Sequence, residues 1–407
     1  MIERGDSVTG TFSRYAASAR DAGLTSRVNA LYSRADDVRD AFTRDYTRVL
    51  HSTAFRRLKH KTQVFYNIAN DHICTRMEHV LHVESVASTI AAKLGLNVEL
   101  TRAIALAHDL GHAPFGHQGE TVINKLTKER LGEEFWHERN GLRTADKLEL
   151  LEDNERIYRN LNLTYAVRDG IISHCGEVDE NNLRPRETRG DLSAFTSHPE
   201  SPATWEGCVV KISDKIAYLG RDIEDAVSLG FLSDTAIAQL TEMARLRDER
   251  AINTTVIMHN MVIDICEHSS PEAGIALSPE CRAQLDDIKA FNYEHIYFNK
   301  RFEPYTAYSE LVITQLFEHL TAYFDGEGTI ARLTSAADSR RNPAGFAREF
   351  FGWVVKYCDL AVPHYANEKL YGTLSDERTY TRAVLDYISG MTDRYAIDCF
   401  NELITYA

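Results

Sequence analysis

The chain has 407 residues, 43% hydrophobic and 26% charged, a balance that allows a large soluble core and excludes a disordered or membrane-embedded class. A formal charge of −14 disfavours broad nucleic-acid binding, though it leaves room for a local basic groove. The seven scattered cysteines, never spaced CxxC, exclude a disulfide frame or a zinc ribbon, and no signal-peptide core or membrane-length apolar run occurs; a reduced, cytoplasmic setting is expected.

In chain order, HSTAFRRLKHKTQVF (51–65) is a local positive run with Arg56, Arg57, Lys59 and Lys61. Such a run serves either as a solvated helix face or as a seat for a polyanion such as phosphate. From Met77, apolar residues Val80, Val83, Ala87, Ile90 and Leu94 recur at three- and four-residue intervals, predicting a helix that stops at Gly95. Asn97 can cap the next helix, whose TRAIALAHDL stretch is apolar on nearly all sides and so should be central and buried. Helical periods follow over 119–131, 141–151, 205–228, 233–267, 282–291, 304–324, 346–361 and 377–405, while strand-like alternation is scarce. Two stretches, 176–203 and 325–344, read as loops, the second setting off a C-terminal helical portion. The expected fold is therefore all-α.

Six of the sixteen histidines fall between His79 and His137, far denser than an even spread. His108 and Asp109 end a helix that should be buried, where a bare carboxylate costs several kcal/mol unless compensated. An isolated His–Asp dipeptide reads most simply as a hydrogen-bonded buried pair. Here, however, His79 lies on the preceding helix, and Asp214 places a second carboxylate inside another apolar helix, VVKISDKIAYLGRDIEDA. Ligands from separate helices converging on one divalent ion would account for all these charges. Beyond Asp109, Gly111, Pro114 and Gly116 break the helix, putting His112 and His117 on a turn, with Glu120 starting the next helix and His137 preceding another. Histidines at such junctions suit proton transfer and charge stabilisation. Neither a P-loop nor GxGxxG occurs, so a phosphate site here would not be a glycine cradle.

The segments RMEH, HDLGHAPFGHQGE and SDKIAYLGRDIEDA, in that order, resemble the HD superfamily and, more closely, its dGTP triphosphohydrolase branch; STAFRRLKHKTQVF and DYISGMTDRYA (386–396) are similar to segments of the bacterial members. The resemblance runs from about residue 50 to the end. It implies an N-terminal segment (1–50), an HD-domain helical core (51–235) and additional C-terminal helices packed on it (236–407). It also implies metal ligands at His79, His108, Asp109 and Asp214, and active-site residues at His112, His117, Glu120 and His137, the match at His137 being the weakest. Phosphate contacts fall on Arg76 and Lys215, and sugar contacts on Gln63, Tyr218 and Asp222; the loose match over 265–345 assigns no base-reading residue. The implied reaction is hydrolysis of a 2′-deoxynucleoside triphosphate, dGTP preferred, to deoxynucleoside and inorganic triphosphate. The implied cofactor is a divalent ion: manganese, magnesium or a transition metal such as iron, zinc, nickel or cobalt. The implied assembly is a homo-oligomer, tetramer or hexamer, off the membrane, with a nucleotide effector and weak single-strand nucleic-acid binding left open. Phe350, Phe351, Trp353, Tyr357, Tyr387 and Tyr395 supply aromatic surface for such an assembly. Two other readings remain at this stage: an HD nucleotidase or phosphodiesterase, and a nucleotide- or single-strand-binding protein with a vestigial site.

Overall fold

A computed structural model of the protein describes residues 10–31, 36–66, 70, 72–174, 181–199, 201–245, 254–339 and 344–405. Among these residues there are sixteen α-helices and one two-stranded antiparallel sheet, so the fold is all-α as expected. No described helix is long and apolar enough to cross a membrane. The described cysteines form no disulfide; Cys175 lies outside the described residues.

The chain divides into two compact units. The first comprises Met1–Thr47, Glu78–His108 and Leu163–Phe298. At its centre is helix Val98–Ala107, capped by the Asn97 side chain, which accepts the Leu100 N–H; seven of its residues are buried. Helices Tyr165–Ser173 and Trp205–Ser228 pack on it. Gly170 makes the first of these contacts feasible, since a Cβ there would lie 2.5 Å from the Ile104 side chain. Buried Glu206 accepts the N–H groups of Ala17 and Asn97, each at 2.9 Å, and so ties the N-terminal segment to the cap of the central helix.

The second unit comprises Arg48–Met77, Asp109–Asn162 and Asn299–Ala407. Its core is built by helices Gly116–Leu131, Glu303–Thr321 and Glu377–Ser389, with Ile123, Val312, Leu316, Val384 and Ile388 fully buried. Phe350, Tyr357 and Tyr387 are buried in this core, and Phe351, Trp353 and Tyr395 pack against it. The aromatic set expected to supply an assembly surface is thus largely consumed by the unit's own packing.

Several boundaries differ from the periodic reading, each for a local reason. The helix expected over 141–151 ends as His137–Arg143 followed by a π turn, Thr144–Leu148. Glu149 is then held extended, its carboxylate accepting from the Thr53 N–H and hydroxyl at 2.5 and 2.6 Å, and strand Leu150–Glu152 pairs with Tyr158–Asn160. The stretch 325–344 is not all loop: Thr329 accepts the Asp325 N–H at 3.0 Å, and helix Thr329–Ala337 follows, burying Leu333 and Ala337 on one face. The period over 377–405 is two helices, Glu377–Ser389 and Asp393–Ile404, the second capped by Thr392. The period over 233–267 likewise contains Asp234–Arg245 and Thr254–His268, with 246–253 outside the described residues. Over 346–361, α-helix Ala344–Val354 tightens into a 3₁₀ turn at Val355–Tyr357.

One contact fixes the turn that carries the histidines. Phe115 sits in the left-handed region (φ 65°), a conformation costing a non-glycine residue about 1–2 kcal/mol. Asp393 accepts the Phe115 N–H at 2.8 Å through one oxygen and the Thr62 N–H at 2.9 Å through the other, and Tyr305 donates its hydroxyl to the Phe115 carbonyl at 2.9 Å. Replacing Asp393 by Ala strands both N–H groups, at about 1–3 kcal/mol each. The expected result is a loss of about 2–6 kcal/mol in urea unfolding, with Asp393→Asn intermediate. A change below about 1 kcal/mol for Asp393→Ala would show that the turn does not depend on this clamp.

Candidate active site

In the first unit, three elements deliver nitrogen and oxygen donors. His79 lies in the first turn of helix Arg76–Leu94, His108 follows helix Val98–Ala107, and Asp214 projects from helix Trp205–Ser228. His79 Nε2 is 2.9 Å and His108 Nε2 3.8 Å from Asp214 Oδ1, with both histidines essentially buried. His108 Nδ1 lies 2.7 Å from the Ala105 carbonyl, so Nδ1–H donates there and Nε2 is the ring atom that faces Asp214. Donors bound to one ion at about 2.0–2.2 Å stand roughly 3–4.4 Å apart, and this set fits that range in both spacing and chemistry. Asp109, the residue after His108, begins the second unit's central segment.

In the second unit, Asp109 is buried and accepts from Arg76 Nη1 at 2.9 Å, and His112 Nδ1 lies 3.1 Å from its other oxygen. Burial, reinforced by the Arg76 charge, pushes His112 well below the usual imidazole range despite Asp109. The His112 and His137 rings lie 3.9 Å apart, centroid to centroid. Gly111 permits this approach, because a Cβ there would collide with the His137 carbonyl at 2.0 Å. Glu120 accepts the His137 N–H at 2.8 Å and faces His137 Nδ1 at 3.1 Å. His117 Nδ1 is 3.6 Å from the same carboxylate, and its side chain is 73% exposed. Burial works to raise the Glu120 carboxyl, but the His137 charge and the adjoining His117 and His112 outweigh it and hold it well below the ordinary range.

Arg76 is only 2% exposed, yet its Nε and Nη2 have no hydrogen-bond partner among the described residues. A buried guanidinium with one edge satisfied and the other unsatisfied is a receptor for an anion. Gln63, half-buried, likewise has its carbonyl oxygen without a partner among the described residues. Lys215 and Tyr218 are half-buried on helix Trp205–Ser228, and Asp222 is buried one turn beyond Tyr218.

The structure also brings in residues the sequence reading missed. Tyr297 donates its hydroxyl to Asp222 Oδ2 at 2.5 Å, and burial and Asp222 push that hydroxyl well above the usual phenol value. His174, at the end of helix Tyr165–Ser173, joins His108 and Asp214 in a group whose ligand atoms lie within 4.8 Å of one another. The stretch YAVRDGIIS before His174 shows no amphipathic period to announce that helix, and Tyr297 carries no local signal either. Of the basic run, Arg56 and Lys59 are exposed, whereas Lys61 is buried and donates to the carbonyls of His112 and Ser389. Burial, then the Arg57 charge, brings its ammonium down to about 7, Asp393 and Asp109 opposing.

Comparison with known proteins matches residues 76–219 to the HD domain and 346–402 to the phosphohydrolase-associated domain. A deoxyguanosinetriphosphate triphosphohydrolase-like protein of Caldanaerobacter subterraneus subsp. tengcongensis is 35% identical over 392 residues, covering 96% of this chain and 91% of the relative. Proteins of the same description from Thiobacillus denitrificans and Rickettsia felis are 32% and 30% identical, over 88% and 95% of this chain and 89% and 97% of their own lengths. With the buried histidine–aspartate donors inside the matched region, the chain belongs to the HD-domain family of deoxyguanosinetriphosphate triphosphohydrolase-like proteins and is an HD-type phosphohydrolase.

Proposed function

We propose that the protein hydrolyses 2′-deoxynucleoside triphosphates, dGTP preferred, to deoxynucleoside and inorganic triphosphate. The observation that carries the reading is the buried Arg76 guanidinium, half satisfied by Asp109, in the same unit as the Glu120–His137 pair. His79, His108, Asp109 and Asp214 are the proposed ligands of a divalent ion: manganese, magnesium or a transition metal. When bound, that ion would supply positive charge at a phosphate oxygen and acidify water.

The chain's own groups account for the rest. Arg76 and Lys215 offset the triphosphate charge and hold the phosphates for in-line attack at the α-phosphorus. His112, kept neutral by its burial, serves as a hydrogen-bonding stabiliser of charge on the α-phosphate. The sugar 5′-oxygen is a poor leaving group as an alkoxide, and His117 or His137, oriented by Glu120, gives it a proton. Gln63, Tyr218 and Asp222 bind the sugar, with Tyr218 and Gln63 crowding the 2′ position. A cytoplasmic homo-oligomer, tetramer or hexamer, completes the proposal.

Phosphorus NMR of each dNTP incubated with the protein in ¹⁸O-labelled water, with added manganese or magnesium, tests it. Triphosphate carrying the solvent oxygen on a terminal phosphate is the expected initial product. Pyrophosphate or orthophosphate appearing first would overturn the register, and turnover of monophosphates alone would favour a nucleotidase.

A further inference from the structure

We propose that His174 is a third imidazole ligand of the ion, beside His79 and His108, and that the site therefore selects manganese or a later transition metal over magnesium. The proposal rests on the metal reading above and deepens it. All of its residues lie in the first unit.

His174 terminates helix Tyr165–Ser173 and is 2% exposed. Its Nδ1 lies 2.7 Å from the Ile171 carbonyl, three residues back, repeating the 2.7 Å contact of His108 Nδ1 with the Ala105 carbonyl. The two rings stand 4.9 Å apart, centroid to centroid, at an interplanar angle of 72°. A carbonyl only accepts, so Nδ1–H of each ring donates to it and Nε2 is the atom left for a ligand bond. The ligand atoms of His108, His174 and Asp214 lie within 4.8 Å of one another. Two imidazoles and a carboxylate brought this close by three separate elements are a donor set that a divalent ion recruits.

A divalent ion can take Nε2 of both rings and the carboxylate oxygen at once. Donors sharing an ion at about 2.0–2.2 Å can be at most roughly 4.4 Å apart, so closure requires movements of a few tenths of an ångström. Histidine at the end of a helix, pinned by its own i−3 carbonyl, is a rigid ligand whose ring needs no reordering on binding. Three imidazoles with one or two carboxylates suit borderline ions; magnesium prefers an oxygen shell and retains its waters.

The test uses the full chain, stripped with chelator and titrated with Mn(II) alone. Binding is followed by the electron paramagnetic resonance signal of free Mn(II), and bound imidazoles are counted by pulsed measurement of ¹⁴N couplings. Three coupled imidazole nitrogens are expected in the wild type and two in His174→Gln, whose Mn(II) affinity should fall about tenfold or more. Mg(II) should compete for the wild-type site only at large excess. Bound Mn(II) with two imidazole nitrogens in the wild type overturns the proposal, and this count decides the matter even if His174→Gln does not fold. Failure of the underlying metal reading looks different: no Mn(II) bound by the wild type, or binding indifferent to Asp214→Ala.

Discussion

Asp109→Ala is expected to lose bound metal and turnover together, whereas His117→Ala and His137→Ala keep the metal and lose turnover. The division follows from placement. Asp109 is buried next in sequence to His108, while His117 is 73% exposed and His137 faces Glu120 at 3.1 Å. Asp109 also carries a structural load that the histidines do not. It compensates buried Arg76 at 2.9 Å, and removing one partner of a buried ion pair costs about 3–5 kcal/mol. The variant should therefore be both less stable and metal-poor, and metal must be measured on its folded fraction, isolated by size exclusion and checked by circular dichroism. His117→Ala should leave stability within about 0.5 kcal/mol of wild type, as for other exposed positions. Elemental analysis showing equal metal loss in all three variants would sink the division of roles.

What the sequence makes legible is what local periodicity controls. Trp205–Ser228 coincides with the period over 205–228, because one long amphipathic helix sets both its ends by its own residues, Thr204 capping the first turn. Arg76–Leu94 and the capped Val98–Ala107 are readable for the same reason. Helix Tyr165–Ser173 is not: eight of its nine residues are buried, so no polar face alternates with the apolar one. Its one buried acid, Asp169, is answered by Arg186 and by the Ala203 N–H, partners distant in sequence. The π turn at Thr144–Leu148 is equally a tertiary result, drawn out by the hold of Thr53 on Glu149.

The site divides in the same way. Titratable residues within apolar stretches, such as His108, Asp109 and Asp214, announce themselves, since burial of their charge demands a compensating partner. Lys61 misleads for the complementary reason. It belongs to a positive run, yet it is buried 328 positions from Ser389, whose carbonyl it meets, and no local pattern encodes that meeting. Tyr297, 75 positions from Asp222, is silent in the same way. The C-terminal segment DYISGMTDRYA, similar only as a string, acquires a physical role through Asp386 on Arg143 and Asp393 on Phe115, which hold both ends of the histidine-bearing region of the second unit.

Glu120→Gln should lower kcat by about 10²–10⁴-fold and move the basic limb of the pH–rate profile to lower pH, with KM little changed. Glu120 is held well below the ordinary carboxylate range: burial raises it, and His137, then His117 and His112, lower it by more. A carboxyl depressed in the folded state contributes stability that is present above its unfolded value, near 4.5, and is lost as pH falls toward the folded one. Across neutral pH Glu120 is therefore an anion, and no limb of the profile near pH 7 is its own titration. By reciprocity the same attraction favours a proton on His137, the form able to protonate the leaving 5′-oxygen. Glutamine preserves the size and the Oε1 acceptor for the His137 N–H, now at 2.8 Å, but removes the charge. The proton-donating form should then survive only to a lower pH, while the groups that grip phosphate and sugar stay in place. The measurement is kcat and KM against pH for the two proteins, each at saturating metal. A basic limb that does not move, or a defect confined to KM, would show that Glu120 orients substrate rather than the histidine that gives up the proton.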